Sequence, residues 1–193
     1  DASTGTGYGR VEADEIETLT IKADASLSSV ENGVELLSAT AATSMIYTGA
    51  GRFTATAVAN TTKLTSIDAS AMTNRLTLSG IDASVLNYKG STSNDTIAVA
   101  GVTNADTFAG STGTDTLTMT AVGGRSATTG KLNITDFKTV IVQATAANTI
   151  DASLFSGVSA LGFSGANPGT QTVTGLPAGV AINVGDSSGA GVV

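Results

Sequence analysis

Three segments in the middle of the chain share a pattern that could hold a hard cation. Each begins with Gly, passes through a small polar turn to an Asp, and ends with Thr and one apolar residue; they are 90–97, 101–108 and 110–117. Gly, Ser and Asn in a turn let backbone carbonyls converge, and the Asp adds a carboxylate. Such oxygen ligands are those that Ca²⁺ prefers. The pattern predicts a calcium site, with candidate ligands Asp95, Asp106, Asp115, Asn94 and Gly113.

The spacing of these carboxylates predicts a solenoid coil. Asp95 and Asp115 lie 20 residues apart, which is enough chain for two short strands and two turns. We therefore expect Asp95 and Asp115 to stack on one edge of a solenoid and Asp106 to lie on the opposite edge. The apolar residue after each Asp-Thr pair would begin a strand that points into the core.

Other parts of the chain have the pattern of short strands. Three runs alternate apolar residues with Thr or charge, at the period of a half-buried strand: 15–21, 74–78 and 131–134. The phrase Asp-Ala-Ser recurs at Asp1, Asp24, Asp68, Asp82 and Asp151. We interpret the last four of these Asp residues as Asx turns at coil corners rather than as metal ligands, because an Asp side chain readily accepts local backbone hydrogen bonds.

The three Gly-to-Asp segments resemble degenerate copies of the RTX nonapeptide, G-G-x-G-x-D-x-U-x, in which U is a large apolar residue. The second Gly is replaced by Ser91, Val102 and Ser111, and Gly113 in the third segment keeps the inner Gly. With its Ile-Asp-Ala-Ser turns and Thr-rich strands, the chain is similar to bacterial surface-layer proteins and large secreted adhesins.

The resemblance implies an all-β fold, a right-handed parallel β-solenoid of short strands. We expect residues 1–193 to form one elongated segment, excised from a longer chain, with the RTX-like turns at 90–118. The resemblance also implies a secreted protein of the bacterial cell surface that assembles with calcium. Its partners would be copies of itself in a lattice or filament, or neighbouring domains, with cell-surface polysaccharide as a further candidate.

Composition excludes several classes of function. The chain has 9 Lys and Arg against 16 Asp and Glu, a net charge of −7, and its basic residues are scattered. Nucleic-acid binding needs a basic patch, so it is not expected. No apolar run approaches the roughly 20 residues that span a bilayer, so we do not expect an integral membrane protein.

The absence of His and Cys removes the usual catalytic bases, thiol nucleophiles and zinc ligands. We therefore predict that the chain is not an enzyme. Two alternatives remain open. One is a secreted adhesin stalk or glycan-binding module. The other is a calcium-dependent polysaccharide-active β-helix, in which Arg52, Arg75 or Arg125 would act beside bound calcium.

The composition also predicts what the core and the surface contain. Aromatic residues make up only 4% of the chain and Trp is absent, so we expect a narrow core of Ile, Val, Leu and Ala without large rings. Thr suits exposed strand faces and can form hydroxyl ladders between coils. No strict Thr-x-Thr ladder recurs at one interval, so the resemblance of this composition to ice-binding surfaces is weak.

Overall fold

A computed structural model describes residues 9–24, 32–82, 85–120, 130–143, 147–164 and 170–184. The regular secondary structure of these residues is entirely β-strand. The strands are β1 (Gly9–Glu12), β2 (Thr18–Ala23), β3 (Asn32–Ser38), β4 (Ser44–Gly49), β5 (Phe53–Ala59), β6 (Ser66–Met72), β7 (Leu76–Ile81), β8 (Asn87–Lys89), β9 (Thr96–Ala100), β10 (Thr107–Ala109), β11 (Asp115–Thr120), β12 (Gly130–Lys131), β13 (Asn133–Thr135), β14 (Phe137–Gln143), β15 (Asn148–Asp151), β16 (Ala160–Ser164), β17 (Gln171–Thr174) and β18 (Ala181–Val184).

The strands stack into parallel sheets that form a β-solenoid of about 7 turns. The 9-stranded sheet has the order β1-β3-β5-β7-β9-β11-β14-β16-β18. The 6-stranded sheet has the order β13-β10-β8-β6-β4-β2, and a 3-stranded sheet contains β12, β15 and β17. The predicted all-β parallel solenoid is confirmed.

The chain alternates between the two larger sheets until β11, and the third sheet begins at β12. Where the RTX-like segments lie, the coil has the predicted length, since Thr96 pairs with Thr116. Elsewhere the coil length varies: Thr54 pairs with Thr77 and Thr116 pairs with Thr139, which are longer coils, whereas Thr77 pairs with Thr96 in a slightly shorter one. The corners between strands absorb most of these differences, and β-bulges shift the register within four of the strand pairs.

The predicted strands are present with shifted bounds. The run 15–21 becomes β2, which begins at Thr18, and the run 74–78 becomes β7. The run 131–134 is divided between β12 and β13, because Leu132 is fully buried at the corner where the chain passes from one sheet to another.

One inward column of the 9-stranded sheet is aliphatic and contains Ala55, Leu78, Ile97, Leu117 and Val140, all fully buried. The expectation of a core without large rings is wrong, however. The largest fully buried side chains include Tyr47, Tyr88, Phe108 and Phe137, and the Tyr88 ring centroid lies 5.9 Å from that of Phe137. The aromatic rings of the described residues are inside because each removes a large apolar area from water.

Candidate functional site

The three predicted carboxylates lie at the expected edges of the solenoid. Asp95 immediately precedes β9 and Asp115 opens β11, which are neighbours in the 9-stranded sheet. The Asp95 amide donates a hydrogen bond of 2.7 Å to Asp115 Oδ1. Asp106 precedes β10 in the 6-stranded sheet, on the opposite edge. The expected stacking of Asp95 on Asp115 is therefore present.

The side chains, however, point into the protein. Asp95, Asp106 and Asp115 have relative exposures of 1%, 4% and 0%. Each lies two residues before an inward apolar residue, and side chains two apart in a strand share a face. An Asp in this position therefore enters the core with the apolar side chain that follows it.

Asp95 is fully engaged by hydrogen-bond donors. Its Oδ1 accepts from the Leu76 amide at 2.8 Å and from Ser91 Oγ at 2.7 Å. Its Oδ2 accepts from the Ser91 amide at 2.6 Å and from the Tyr88 hydroxyl at 3.0 Å. An ionised carboxylate offers about four lone-pair sites, so these donors use its whole accepting capacity.

Asp106 is held in the same way on the other edge. Its Oδ1 accepts from the Leu86 amide at 2.5 Å, and its Oδ2 accepts from the amide and hydroxyl of Thr103 at 2.7 and 2.9 Å. Leu86 occupies the position of Asp106 one coil earlier, because Asn87 pairs with Thr107. Each of the three carboxylates thus accepts the amide at its own position in the preceding coil. We call this set of Asp95, Asp106 and Asp115 the carboxylate ladder.

Asp115 is the member of the ladder with an unsatisfied oxygen. Its Oδ1 accepts from Asp95, but its buried Oδ2 has no partner among the described residues. Ser111 occupies the position that Ser91 has one coil earlier. Unlike the buried Ser91, it is exposed, has a φ of 97°, and makes no described hydrogen bond to Asp115. The coil around Asp115 therefore lacks the donors that complete the coil around Asp95.

The surroundings of Asp115 change its acidity. Burial, the largest effect, raises its pKa from 3.8 to about 6; the negative charges of Asp95 and Asp136 also raise it, whereas the hydrogen bond from the Asp95 amide and the charge of Lys138 lower it. The pKa of Tyr88 is raised well above its usual value, chiefly by burial and then by the charge of Asp95. The pKa of Asp115 is therefore closer to neutral pH than that of an ordinary Asp.

The Gly that begins each of the outer two segments leaves room for the next coil. A Cβ on Gly90 would lie 1.9 Å from the Gly110 carbonyl oxygen. A Cβ on Gly110 would lie 2.7 Å from both Asp115 Oδ2 and the Asp136 carbonyl oxygen. Both positions thus require Gly because backbone and carboxylate oxygens approach them closely.

The other two predicted ligands stabilise the exposed turn. Asn94 Oδ1 accepts a hydrogen bond of 2.8 Å from the Thr114 amide, which lies one coil later. Gly113 has a φ of 121°, and a Cβ there would lie 2.9 Å from Asn94 Oδ1 and from the Ser93 carbonyl oxygen. Asn94, Gly113, Asp95 and Asp115 are therefore brought to one corner, while Asp106 lies at the other.

This arrangement does not fit a calcium ion bound by the five predicted ligands together. Ca²⁺ takes six to eight oxygens, whereas N–H and O–H donors already face the oxygens of Asp95 and Asp106, and Asp106 is on the wrong edge. In the described part of the chain, no three acidic, His or Cys side chains form a group able to hold a metal. The calcium ligands remain a prediction for titration to test.

The Asp-Ala-Ser phrases at Asp68 and Asp151 make the local hydrogen bonds of Asx turns, but the corner predicted for Asp68 is wrong, because Asp68 lies inside β6 beside a β-bulge. Asp68 Oδ1 accepts from the Ser70 amide at 2.9 Å and from Ser70 Oγ, and Asp151 Oδ1 accepts from the Ser153 amide at 3.0 Å. These bonds lower the pKa of both carboxyls. Asp1, and the Ala-Ser pairs that follow Asp24 and Asp82, lie outside the described residues.

The arginines of the enzymatic alternative lie at a corner of the solenoid. Arg52 and Arg75 are exposed and occupy the same position in successive coils, since Phe53 pairs with Leu76. Arg75 thus immediately precedes the amide that binds Asp95. The Asp95 carboxylate is buried, however, so an acidic substrate on Arg75 would not reach it in this conformation. Arg125 lies outside the described residues.

A column of threonines on the outer face of the 9-stranded sheet was missed in the sequence. Successive cross-strand partners are Thr54, Thr77, Thr96, Thr116 and Thr139. They escape a search for a fixed repeat because the intervals between them vary. Side chains alternate between the two faces of a strand, so the position of each Thr next to a buried apolar residue would have revealed the column.

Comparison with protein-family models, with curated proteins and with solved structures finds no match. Among the described residues, no helix is long and apolar enough to cross a membrane.

Proposed function

We propose that the chain is a structural repeat module of a bacterial cell-surface layer that assembles with copies of itself. The observation that carries this proposal is the carboxylate ladder. Its acidic groups join one coil to the next by hydrogen bonds of 2.5 to 2.8 Å to backbone amides. Buried charge used in this way serves a rigid, repetitive scaffold rather than a reactive site open to solvent.

The two ends of the solenoid support a role within a larger assembly. Val11 in β1 is 40% exposed, although its partner Leu37 in β3 is 1% exposed. Ile182 in β18 is 46% exposed, although its partner Leu161 in β16 is fully buried. Apolar core positions that are open at a terminal coil favour contact with further coils, in a neighbouring domain or in a second copy.

The role proposed for calcium is in the assembly of copies of the chain. A net charge of −7 makes copies of the chain repel one another, and a divalent cation between acidic surfaces reduces that repulsion. The ladder itself holds its coils together with N–H and O–H donors. We therefore expect calcium to change association more than it changes the fold of the isolated chain.

The test compares the purified chain in calcium and in chelator, by circular dichroism and negative-stain electron microscopy. We expect the same β signal in both conditions and ordered sheets or filaments only with calcium. The matched variant is Asp115→Asn, which removes one predicted ligand charge but keeps the shape of the side chain. Because Asp115 is buried, we expect this variant to keep the calcium response; loss of the response would instead support Asp115 as a ligand.

A folded chain that stays monomeric at every calcium concentration would contradict the proposal. That result would favour the adhesin stalk instead, since a stalk needs stacked coils but no lattice. Degradation of an acidic polysaccharide by the native chain, lost in Arg75→Ala, would favour the enzymatic alternative.

A further inference from the structure

The outer face of the 9-stranded sheet between β5 and β18 differs in charge from the outer face of the 6-stranded sheet. Its outward positions carry uncharged side chains: Thr54, Thr56, Thr77, Ser79, Thr96, Ala98, Thr116, Thr118, Thr120, Thr139, Ile141, Gln143, Gly162, Ser164 and Asn183. We call this surface the threonine face. The 6-stranded sheet instead presents Lys22, Asp68 and Lys89. The two faces of one solenoid are therefore suited to different surroundings.

The hydroxyls of the threonine face are largely unused within the chain. Those of Thr77, Thr96, Thr116, Thr118 and Thr139 make no hydrogen bond to the described part of the protein, whereas on the other face Thr107 Oγ1 lies 2.5 Å from Asn87 Oδ1. Lys138, at the bulge that opens β14, turns to the corner and donates to the Gly157 carbonyl at 3.2 Å. A partner could bond the free hydroxyls without breaking a described internal bond.

A hollow interrupts the threonine face at Gly162. It has a volume of about 240 Å³ and is lined mainly by apolar atoms, with Ile141 on one side and Asn183 on the other. A Cβ on Gly162 would meet its nearest atom at 3.7 Å, an ordinary contact, so packing does not require Gly there. The hollow is thus a surface feature that the fold itself does not need.

We propose that the threonine face is a lateral interface on which a second copy of the chain packs face to face. This inference rests on the self-assembly proposed above. Because each copy carries a net charge of −7, contact between charged surfaces is opposed by repulsion and by desolvation of the charges. The threonine face brings no charge into the contact. Its small side chains on a parallel sheet allow a second sheet to approach to about 10 Å.

The size of the face sets the strength of the contact. The face has seven strands, which lie about 4.8 Å apart and are about 17–20 Å long. It therefore offers on the order of 600 Å² per copy, or about 1,200 Å² in total. That area is at the lower limit of specific interfaces. The isolated pair is therefore weak, and repetition of the contact in an assembly would strengthen it.

The test measures association in the presence of calcium by sedimentation velocity from about 10 μM to about 1 mM, the range in which so small an interface dissociates. Thr118→Lys places a charge on β11, the middle strand of the face. The matched control is Ser66→Lys, at an outward position of the 6-stranded sheet between Ser44 and Asn87. We expect Thr118→Lys to raise the dimer dissociation constant about tenfold or more, because it buries an unpaired charge. Ser66→Lys should leave it within about twofold of native, because that side chain stays in solvent.

A second measurement does not depend on the lysine variant keeping its fold. The native chain has no Cys, so Thr118→Cys introduces a single thiol. In a two-fold, face-to-face pair the centre of one face meets the centre of the other, and oxidation should give a disulfide-linked dimer. Ser66→Cys should give much less dimer under the same conditions.

The outcomes separate this inference from the proposed function. Association that persists in Thr118→Lys, with equal cross-linking of both cysteine variants, would overturn the inference and leave assembly through another surface. A native chain that never associates would overturn both. A monomer that produces thermal hysteresis, lost in Thr118→Lys, would assign the face to ice and would also overturn the inference.

Discussion

Replacing Asp115 by Asn should stabilise the protein at neutral pH, although it removes a buried group of the ladder. An Asn side chain keeps an oxygen to accept from the Asp95 amide. Its amide nitrogen replaces Oδ2, the atom without a described partner. That atom and the Asp136 carbonyl oxygen both lie 2.7 Å from the point where a Gly110 Cβ would stand. The substitution therefore removes an unsatisfied acceptor and its buried charge.

The magnitude follows from the acidity of Asp115. Its pKa is about 6 in the folded chain and 3.8 ordinarily, so between these values the folded state binds more protons than the unfolded state. The free energy of unfolding contributed by this group is therefore highest below about pH 4 and falls as the pH rises towards 6. Ionised Asp115 costs on the order of 2–3 kcal/mol at pH 7. The Asn variant avoids that cost.

The assay is urea unfolding of the native chain and of Asp115→Asn at a series of pH values from 4 to 8. The difference in unfolding free energy should grow in favour of the variant as the pH rises. The control is Asp95→Asn, one coil earlier, which should destabilise by about 2–4 kcal/mol because its amide would face donors already pointing at the carboxylate. A pH-independent difference, or destabilisation by Asp115→Asn at pH 8, would refute the reasoning.

Three further substitutions test the corners of the coil, each by chemical or thermal unfolding. Gly90→Ala should cost about 3 kcal/mol or more, because its Cβ would lie 1.9 Å from the Gly110 carbonyl oxygen; an unchanged midpoint would contradict that close approach. Ser111→Gly should add about 1 kcal/mol by relieving a φ of 97°, and a loss of stability would show that the hydroxyl matters more. Asp106→Asn should cost about 2 kcal/mol, because an amide nitrogen would replace one of the two carboxylate oxygens that accept hydrogen bonds from Leu86 and Thr103. A neutral result would exclude a role of Asp106 in joining coils.

The sequence predicts the coil better than it predicts the direction of the side chains. The interval between Asp95 and Asp115 correctly predicts one coil, because a solenoid places equivalent residues above one another. The inward direction of both carboxylates could also have been predicted from the alternation of side chains along a strand. Asp95 shares a strand face with Ile97, and Asp115 with Leu117. Gly and Asp in a turn predict a carboxylate that faces solvent and a cation, whereas both carboxylates are buried. The same interval places Phe108 where Tyr88 lies one coil earlier, so the loss of the Tyr88 hydroxyl donor could have been predicted. The loss of the Ser91 donors could not, because it depends on the backbone conformation of Ser111.

The threonine column and the third sheet were less accessible from the sequence. The column depends on how much chain each corner absorbs between Thr54 and Thr139, and corner length follows tertiary packing rather than local propensity. The third sheet begins where Leu132 enters the core between two very short strands, and such strands have too few residues for a period to be recognised.

Equivalent positions of neighbouring coils lie in register, so the length of the solenoid can change by whole coils. Because Thr96 and Thr116 are equivalent positions, joining Asp95 directly to Thr116 would remove one coil while keeping both neighbouring coils in pairing register. The rod would shorten by about 4.8 Å, the spacing of adjacent strands. Gain or loss of such units by unequal recombination offers a lineage carrying this fold a way to adjust the reach of the rod without redesigning its interior.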